Sequence, residues 1–499
     1  MAPLPMTDRG GLRRWQAVLV GLTLVAVFLR ELHTGPPVFN SDQAIPILMA
    51  NAAHWTPFHL FFYGEDRFGA WPFLAAHGIA MGRPVSFQFL DAWALLLCLS
   101  GVIPAGKLTR PVWVVGALGY LIAFLVPPTR LILTEVCQPY CFQVAMLLWA
   151  WLSFRASVER PGIVRWVLAA ALSVLAVWLA STSGPMLMAL AVLEVWSAGG
   201  REKKVVLLPL FGVLADAALR AGYHRWVLAH FGERIETLIR LDRGHLFWNA
   251  EVVVRHLLRA HMAAPLLLAA IMSGVLWRRI RSDVLARTTL GLTLLAFANL
   301  PVLILLTHVR MNSYADRYFA PLYFFAVLAA AVGVAAWWER LERTVPLVLF
   351  AMSAGLVVLP RHEDDPSPRR ALAEAMVARA HGPGAYVLDG YWNTYAYAAL
   401  APPGALIALP KQGDLNRMPW VTAGLATASS VFVGDSSLLK RGEPPPALVY
   451  QYGVRLELVR ASVVSDAERS FALYVPSGRS AALPHPDMVD LDVRRGSGD

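Results

Sequence analysis

The chain has 499 residues, of which 57% are hydrophobic and 16% charged. A soluble domain carries about 25% charged residues, so this balance excludes an ordinary soluble enzyme. Lys and Arg number 44 against 34 Asp and Glu, a net charge of +10 that nucleic acid, anionic lipid or basic loops between membrane helices would each explain.

The first apolar run, Trp15 to Leu29, follows Arg9, Arg13 and Arg14, the basic flank of either a signal peptide or a membrane anchor. No small-residue cleavage site follows; Arg30 and Glu31 come next, which favours an uncleaved anchor with snorkelling ends. Next comes a loop from about 34 to 86, rich in aromatics, His and Arg, and long loops of this kind carry function. It opens Phe39-Asn40-Ser41-Asp42-Gln43-Ala44-Ile45, an acid at the start of an apolar helix. Ser41 or Asp42 would serve simply as the helix N-cap; alternatively, Asp42 is a carboxylate just outside the membrane, able to act as general base toward a hydroxyl. The loop continues Phe61-Phe62-Tyr63-Gly64-Glu65-Asp66-Arg67-Phe68-Gly69-Ala70-Trp71. One reading is a hairpin turn with interfacial aromatics. The other is a sugar-phosphate site in which Tyr63, Glu65 and Asp66 meet the sugar and the planar fork of Arg67 meets phosphate.

Further apolar stretches fall at 87–104, 111–128, 139–154, 166–181, 183–198, 205–221, 260–277, 288–308, 319–338 and 344–360, so about eleven spans are predicted. The count is least secure over 166–198, where one broken segment could replace two helices. Alternate connections hold compact basic clusters: Lys107 and Arg110; Arg155, Arg160 and Arg165; Arg201, Lys203 and Lys204; Arg278 to Arg287; Arg340 and Arg343. Facing these to the cytoplasm puts the N-terminus inside, and the loops 34–86 and 222–259 and the C-terminus outside. The positive balance then needs no nucleic acid, which would want an exposed basic patch. Cys98 reads as a small hydrophobe, and Cys137 and Cys141 as one helix stripe rather than a bridge. Asp91 and Glu194 fall near span ends, and Asp216 is four residues before Arg220, a spacing that suits structural pairing. Glu233, Glu236, His245 and His308 fall on the outer side, either lining an acceptor path or simply solvated, with no pattern that singles them out.

Before the late span at 319–338 stands Arg310-Met311-Asn312-Ser313-Tyr314-Ala315-Asp316-Arg317-Tyr318-Phe319-Ala320-Pro321. Arg317 is placed either for a lipid phosphate or as a headgroup anchor for the helix. After Pro360 the composition changes, and residues 361–482 fit one small α/β domain, with 483–499 a disordered tail. Helices are expected at Ala371 to Ala380 and Thr394 to Leu400, and strands at Ala385 to Leu388, Leu406 to Leu409 and Ser430 to Val433.

With these residues set out, the chain resembles the GT-C superfamily, in particular bacterial relatives of protein O-mannosyltransferases and of the lipid A aminoarabinose transferase. The resemblance spans most of the chain. Ser41-Asp42-Gln43-Ala44-Ile45 is similar to the family segment whose acid is the proposed catalytic base. Tyr63-Gly64 with Gly69, and Arg317-Tyr318 with Pro321, are similar to two further stretches of family members that use undecaprenyl-linked sugars. Gly390-Tyr391-Trp392-Asn393-Thr394-Tyr395 and Arg417-Met418-Pro419-Trp420 look like segments of their periplasmic domains. Many relatives carry a second acid after the first; here it is Gln43, which removes the acidic pair that a shared metal would use.

The resemblance implies a polytopic α-helical membrane protein with a C-terminal periplasmic α/β domain in the bacterial inner membrane. It implies transfer of a sugar, with inversion, from a polyprenyl-phosphate donor to a hydroxyl of an acceptor glycan, lipid or protein. Asp42 would be the base, Arg317 with Arg67 or Arg310 would bind phosphate, and Tyr318 would join Tyr63, Glu65 and Asp66 at the sugar. No nucleotide site is required, and no Walker-type loop or dinucleotide motif is present; no cofactor is assigned, with a divalent cation left open. A transporter or flippase of a lipid-linked saccharide is the competing reading, but no repeat relates the two halves of the chain. A scaffold without catalysis is the third.

Overall fold

The computed structural model describes residues 9–33, 39–52, 54–65, 68–110, 112–126, 139–232, 242–259, 262–311, 315–338, 344–359, 365–414, 416–434, 444–465, 469–479 and 489–490. The helical part comprises α1 (Arg9–His33), α2 (Ser41–Ala50), α3 (Trp71–Ile79), α4 (Phe87–Leu99), α5 (Val102–Leu108), α6 (Trp113–Leu125), α7 (Pro139–Glu159), α8 (Ile163–Leu179) and α9 (Ser183–Ser197). It continues through α10 (Leu207–Phe231), α11 (Leu246–Arg259), α12 (Ala263–Leu276), α13 (Val284–Leu305), α14 (Thr307–Met311), α15 (Ala320–Trp337) and α16 (Thr344–Val358). Among the described residues, each apolar stretch read from the sequence falls mainly on helix, with 87–104 divided between α4 and α5. Among the described residues, five helices are long and apolar enough to cross a membrane: Arg14–His33, Phe87–Leu108, Lys203–Phe231, Val284–Leu305 and Ala320–Trp337. A sixth span is formed if Arg243–Arg259 and Ala263–Arg279, bent by 97°, count as one, and four shorter apolar helices accompany them. Over 166–198 the chain makes two helices, broken at Ala180 to Thr182.

Close approach of these helices depends on small residues. A Cβ on Gly291 of α13 would meet the Trp151 ring of α7 at 2.3 Å, and one on Gly116 of α6 would meet the Ala105 carbonyl at 2.4 Å. Beside Trp151 lies a buried ionic knot. Arg155 reaches Glu194 at 3.0 Å, and the same carboxylate accepts from Trp151 Nε1 at 2.7 Å, while Arg155 also donates to the Leu108 carbonyl at 2.8 Å. A charge out of water survives only when its remaining donors and acceptors are satisfied in this way. Asp216 and Arg220, four apart on α10, pair at 2.7 Å, as their spacing predicts.

Beyond α17 (Ser367–Arg379) the described residues build a seven-stranded mixed sheet in the order β2-β1-β3-β6-β5-β4-β7. Its strands are β1 (Ala385–Asp389), β2 (Leu406–Pro410), β3 (Val431–Val433), β4 (Leu448–Gln451), β5 (Val454–Ser465), β6 (Ser470–Arg479) and β7 (Val489–Asp490). The three strands expected from sequence form the parallel half, with β1 between β2 and β3. The antiparallel half, β4 to β6, was not anticipated, and Val489 and Asp490 pair with β4 inside the tail expected to be disordered. Because the chain leaves β1 toward β2 and returns on its other side to β3, the carboxyl end of β1 is a topological switch point, the place where open α/β sheets bind ligands. Asp389 and Gly390 sit there and lead into α18 (Tyr391–Leu400), which packs along α2 of the helical part.

Candidate active site

The site begins with the local structure of residues 39–42. Of three successive polar residues able to cap α2, it is Asn40 that does so: its side chain accepts from the Asp42 amide at 2.9 Å. The capping reading of Ser41 and Asp42 is thereby corrected. Both side chains are released to face other elements, and both face the same one. Ser41 Oγ donates to the Tyr391 carbonyl, and the Tyr391 hydroxyl donates to Asp42 Oδ1 at 2.6 Å. On the other oxygen, Arg317 Nη1 lies 3.5 Å from Asp42 Oδ2. That distance exceeds the roughly 2.7–2.9 Å of a tight charge-assisted hydrogen bond, so the pair is a long one. Arg317 also sits 5.4 Å from the centre of the Tyr318 ring.

In the neighbouring loop Phe62 N donates to the Phe68 carbonyl at 2.8 Å, and Phe61 bridges to Gly69 in antiparallel fashion, the pairing that a hairpin requires. Gly64 turns at φ +69°, and a Cβ there would meet Arg417 Cδ at 3.0 Å. Gly69 lies so close to α8 that a Cβ would meet the Trp178 carbonyl at 2.4 Å. Glu65, expected at a sugar, is instead buried and accepts from Arg417 Nη1 at 2.7 Å. The Tyr63 carbonyl takes a second bond from that nitrogen at 3.4 Å, while burial pushes the Tyr63 phenol well above its ordinary range. Arg417 in turn stands 5.6 Å from the centre of the Tyr391 ring. Arg317, Asp42, Tyr391, Arg417 and Glu65 thus form one continuous run of contacts from the helical part to the sheet and back.

Arg310, expected to help with phosphate, is placed on Asp242 at 2.5 Å. Asp242 also accepts from His245 Nδ1 at 2.8 Å and from Asn249 at 3.4 Å. The hydrogen bond from His245, aided by Arg310 and Asn249 against the effect of burial, lowers Asp242 to about 2. Tyr318 is buried and lines a cavity at the ends of several helices, together with Phe68, Tyr140, Gln143, Thr182 and Asn299. Asp66, Arg67, Glu233, Glu236 and Cys137 lie outside the described residues. Among the described residues no group of three or more His, Cys, Asp and Glu is gathered as a metal site.

No family model and no curated protein matches the sequence. The fold, however, has solved counterparts. ArnT from Cupriavidus metallidurans, in the apo state and bound to undecaprenyl phosphate, superposes with a TM-score of 0.59 at 13% identity, covering 93% of this chain and 98% of that one. The arabinofuranosyltransferase AftD from mycobacteria gives a TM-score of 0.45 at 17% identity, covering 94% of this chain and 42% of that one. This chain shares the ArnT fold. At 13% identity the likeness is one of architecture.

Two residues of the site were not assigned by sequence reasoning: Tyr391 and Arg417. Both occur in segments singled out by resemblance, but neither had a role. The signal for Tyr391 was positional, since Gly390-Tyr391 follows a predicted strand and opens a helix, where α/β sheets present functional groups.

Proposed function

We propose that the chain is a membrane glycosyltransferase that moves a sugar from a polyprenyl-phosphate donor to an acceptor hydroxyl, with Asp42 as general base. The carrying observation is the placement of Asp42 between Arg317 and Tyr391, in a fold shared with a protein solved with undecaprenyl phosphate. In one displacement Asp42 takes the proton of the acceptor hydroxyl. The hydroxyl oxygen bonds to the anomeric carbon, and the carbon–oxygen bond to phosphate breaks with its electron pair leaving on the lipid phosphate. Attack from the face opposite the phosphate inverts the anomeric centre.

Arg317 has the charge and the position beside Asp42 to neutralise the departing phosphate. Tyr318, beside it, lines the cavity that would receive the donor. The buried Glu65 and Tyr63 act on the protein rather than on the sugar, holding Arg417 and through it the sheet domain. Arg310 supports the site indirectly, tying α14 to Asp242. The basic clusters between apolar stretches support a reading with the N-terminus in the cytoplasm and residues 361–482 outside, in a bacterial inner membrane crossed about eleven times. The acceptor is a glycan, lipid or protein reaching the outer face.

The test is transfer of radiolabelled sugar from polyprenyl-phosphate donors by membranes holding matched amounts of wild type and Asp42→Asn. Removal of a general base is expected to lower transfer by about 10²- to 10⁴-fold while donor binding persists. Equal incorporation by the two proteins would overturn the role of Asp42, and no incorporation from any donor would return weight to transport or scaffolding.

A further inference from the structure

The two oxygens of Asp42 have different neighbours. Oδ2 faces Arg317 on the turn before α15, and Oδ1 accepts from the phenol of Tyr391, which stands 349 positions away at the start of α18. Tyr391 is fixed on every side. Its amide donates to Asp414 Oδ2 at 2.9 Å, and its carbonyl accepts from Ser41 Oγ. Its ring lies against Arg417, with Tyr395 edge-on at 5.8 Å. Arg417 is itself anchored by Glu65 and by its own amide, which donates to the Tyr395 hydroxyl at 2.7 Å. On the opposite flank Arg369 of α17 donates to the Phe39 carbonyl at 2.7 Å, securing the entry to α2. The helix that leaves the switch-point end of β1, where other α/β domains meet a soluble ligand, is here packed against the helix that carries Asp42.

We infer that Tyr391 is a positioning residue for the reaction proposed above, so that the sheet domain completes the membrane site by fixing the orientation of Asp42. The inference rests on Asp42 being the base. With Oδ1 held by the phenol, Oδ2 is the oxygen that takes the acceptor's proton, on the side where Arg317 meets the phosphate. Burial, the larger effect, together with the nearby Asp42 charge pushes the Tyr391 phenol far above its ordinary range, against the opposing pull of Arg417. The phenol is therefore a neutral donor throughout any working pH. A residue that only filled space here would not influence how the site responds to pH.

The test measures kcat/KM for sugar transfer from a polyprenyl-phosphate donor against pH, using the full chain in nanodiscs. Wild type is compared with Tyr391→Phe and with protein carrying 3-fluorotyrosine at 391, whose more acidic phenol is a stronger donor of unchanged shape. A carboxylate that loses a donor is protonated more readily. Tyr391→Phe is therefore expected to lose about tenfold in kcat and to move the acidic limb of the profile up by about one pH unit, with the donor KM unchanged. Fluorotyrosine is expected to move the limb the other way, and it decides the matter alone if the Phe variant fails to fold. Wild-type transfer with unshifted limbs in the variants overturns this inference and leaves the glycosyltransferase reading standing. Absence of wild-type transfer from every donor overturns both.

Discussion

Arg155 and Glu194 lie 3.0 Å apart with 1% and 0% of their side chains exposed, whereas Arg317 and Asp42 lie 3.5 Å apart with 20% and 16% exposed. Both are arginine–carboxylate pairs, but their surroundings differ. Around Glu194 the indole of Trp151 and the guanidinium of Arg287 add to Arg155, and the Leu108 carbonyl and Thr288 engage Arg155 itself. Around Asp42, among the described residues, the Tyr391 phenol supplements a long ion pair. A pair satisfied on all sides can only hold its helices together, because nothing else can approach it. A longer pair partly open to solvent is one that a substrate can reach, and in the proposed reaction this is what separates the pair that does chemistry from the pair that braces helices.

The comparison breaks most visibly if a partner is removed from the closed pair. Glu194→Ala leaves Arg155 buried and uncompensated, which is expected to cost about 3–5 kcal/mol of stability. Transfer per folded molecule should be unchanged. Thermal unfolding of the purified protein in detergent checks this, and the double change Arg155→Met with Glu194→Leu should recover most of the loss, since apolar replacement of a buried pair is often neutral or better. A single variant as stable as wild type would mean that the knot does not brace the helices.

The open pair should show the reverse pattern. Arg317→Lys keeps the charge but replaces a planar fork with a point charge, and transfer is expected to fall about 10- to 100-fold, the loss of one hydrogen bond to a charged group. Stability should change by less than about 1 kcal/mol, the worth of a partly exposed ion pair. Kinetics and unfolding measured on the same preparation separate the two effects. A stability loss as large as that of Glu194→Ala, with transfer intact, would make Arg317 a headgroup anchor and no more.

This contrast also explains what could be read from the sequence. The apolar stretches, the helix after Asp42 and strands β1 to β3 are local patterns, and each was legible because burial repeats along consecutive residues. The parallel half of the sheet is buried throughout β1 and β3, which yields short apolar runs. Strands β4 to β6 were missed because their pattern is mixed: β4 alternates partly buried with buried residues, and β5 pairs with β6 through shifts at Arg455/Leu456 and Leu458/Val463. The cap of α2 was misjudged because Asn40, Ser41 and Asp42 are all good cap residues, and only the backbone geometry at Asn40 decides among them. Partnerships that bridge 349 and 352 positions, Tyr391 with Asp42 and Arg417 with Glu65, leave no local trace. The catalytic candidate was thus legible and the residues that hold it were not.

Between the closed and the open pair stands a third, Asp242 with Arg310 and His245, and pH can grade it. Asp242 is held at about 2, below the ordinary 3.8, chiefly by the hydrogen bond from His245. A carboxyl whose folded value is depressed contributes stability that is present above its unfolded value and lost as pH falls through the folded one. For Asp242 the window is therefore from about 4 down to about 2. Wild type should lose unfolding temperature across that window more steeply than Asp242→Asn, and the two curves should converge at its acid end. The effect should be the smallest of the three, because His245 is more than half exposed and Arg310 a third exposed, and solvent screens pairs of that kind. Curves that stay parallel from pH 5 to the acid limit would show that Arg310 is not tied to Asp242 in solution. That outcome would free its guanidinium for the lipid phosphate, the role its sequence neighbourhood first suggested.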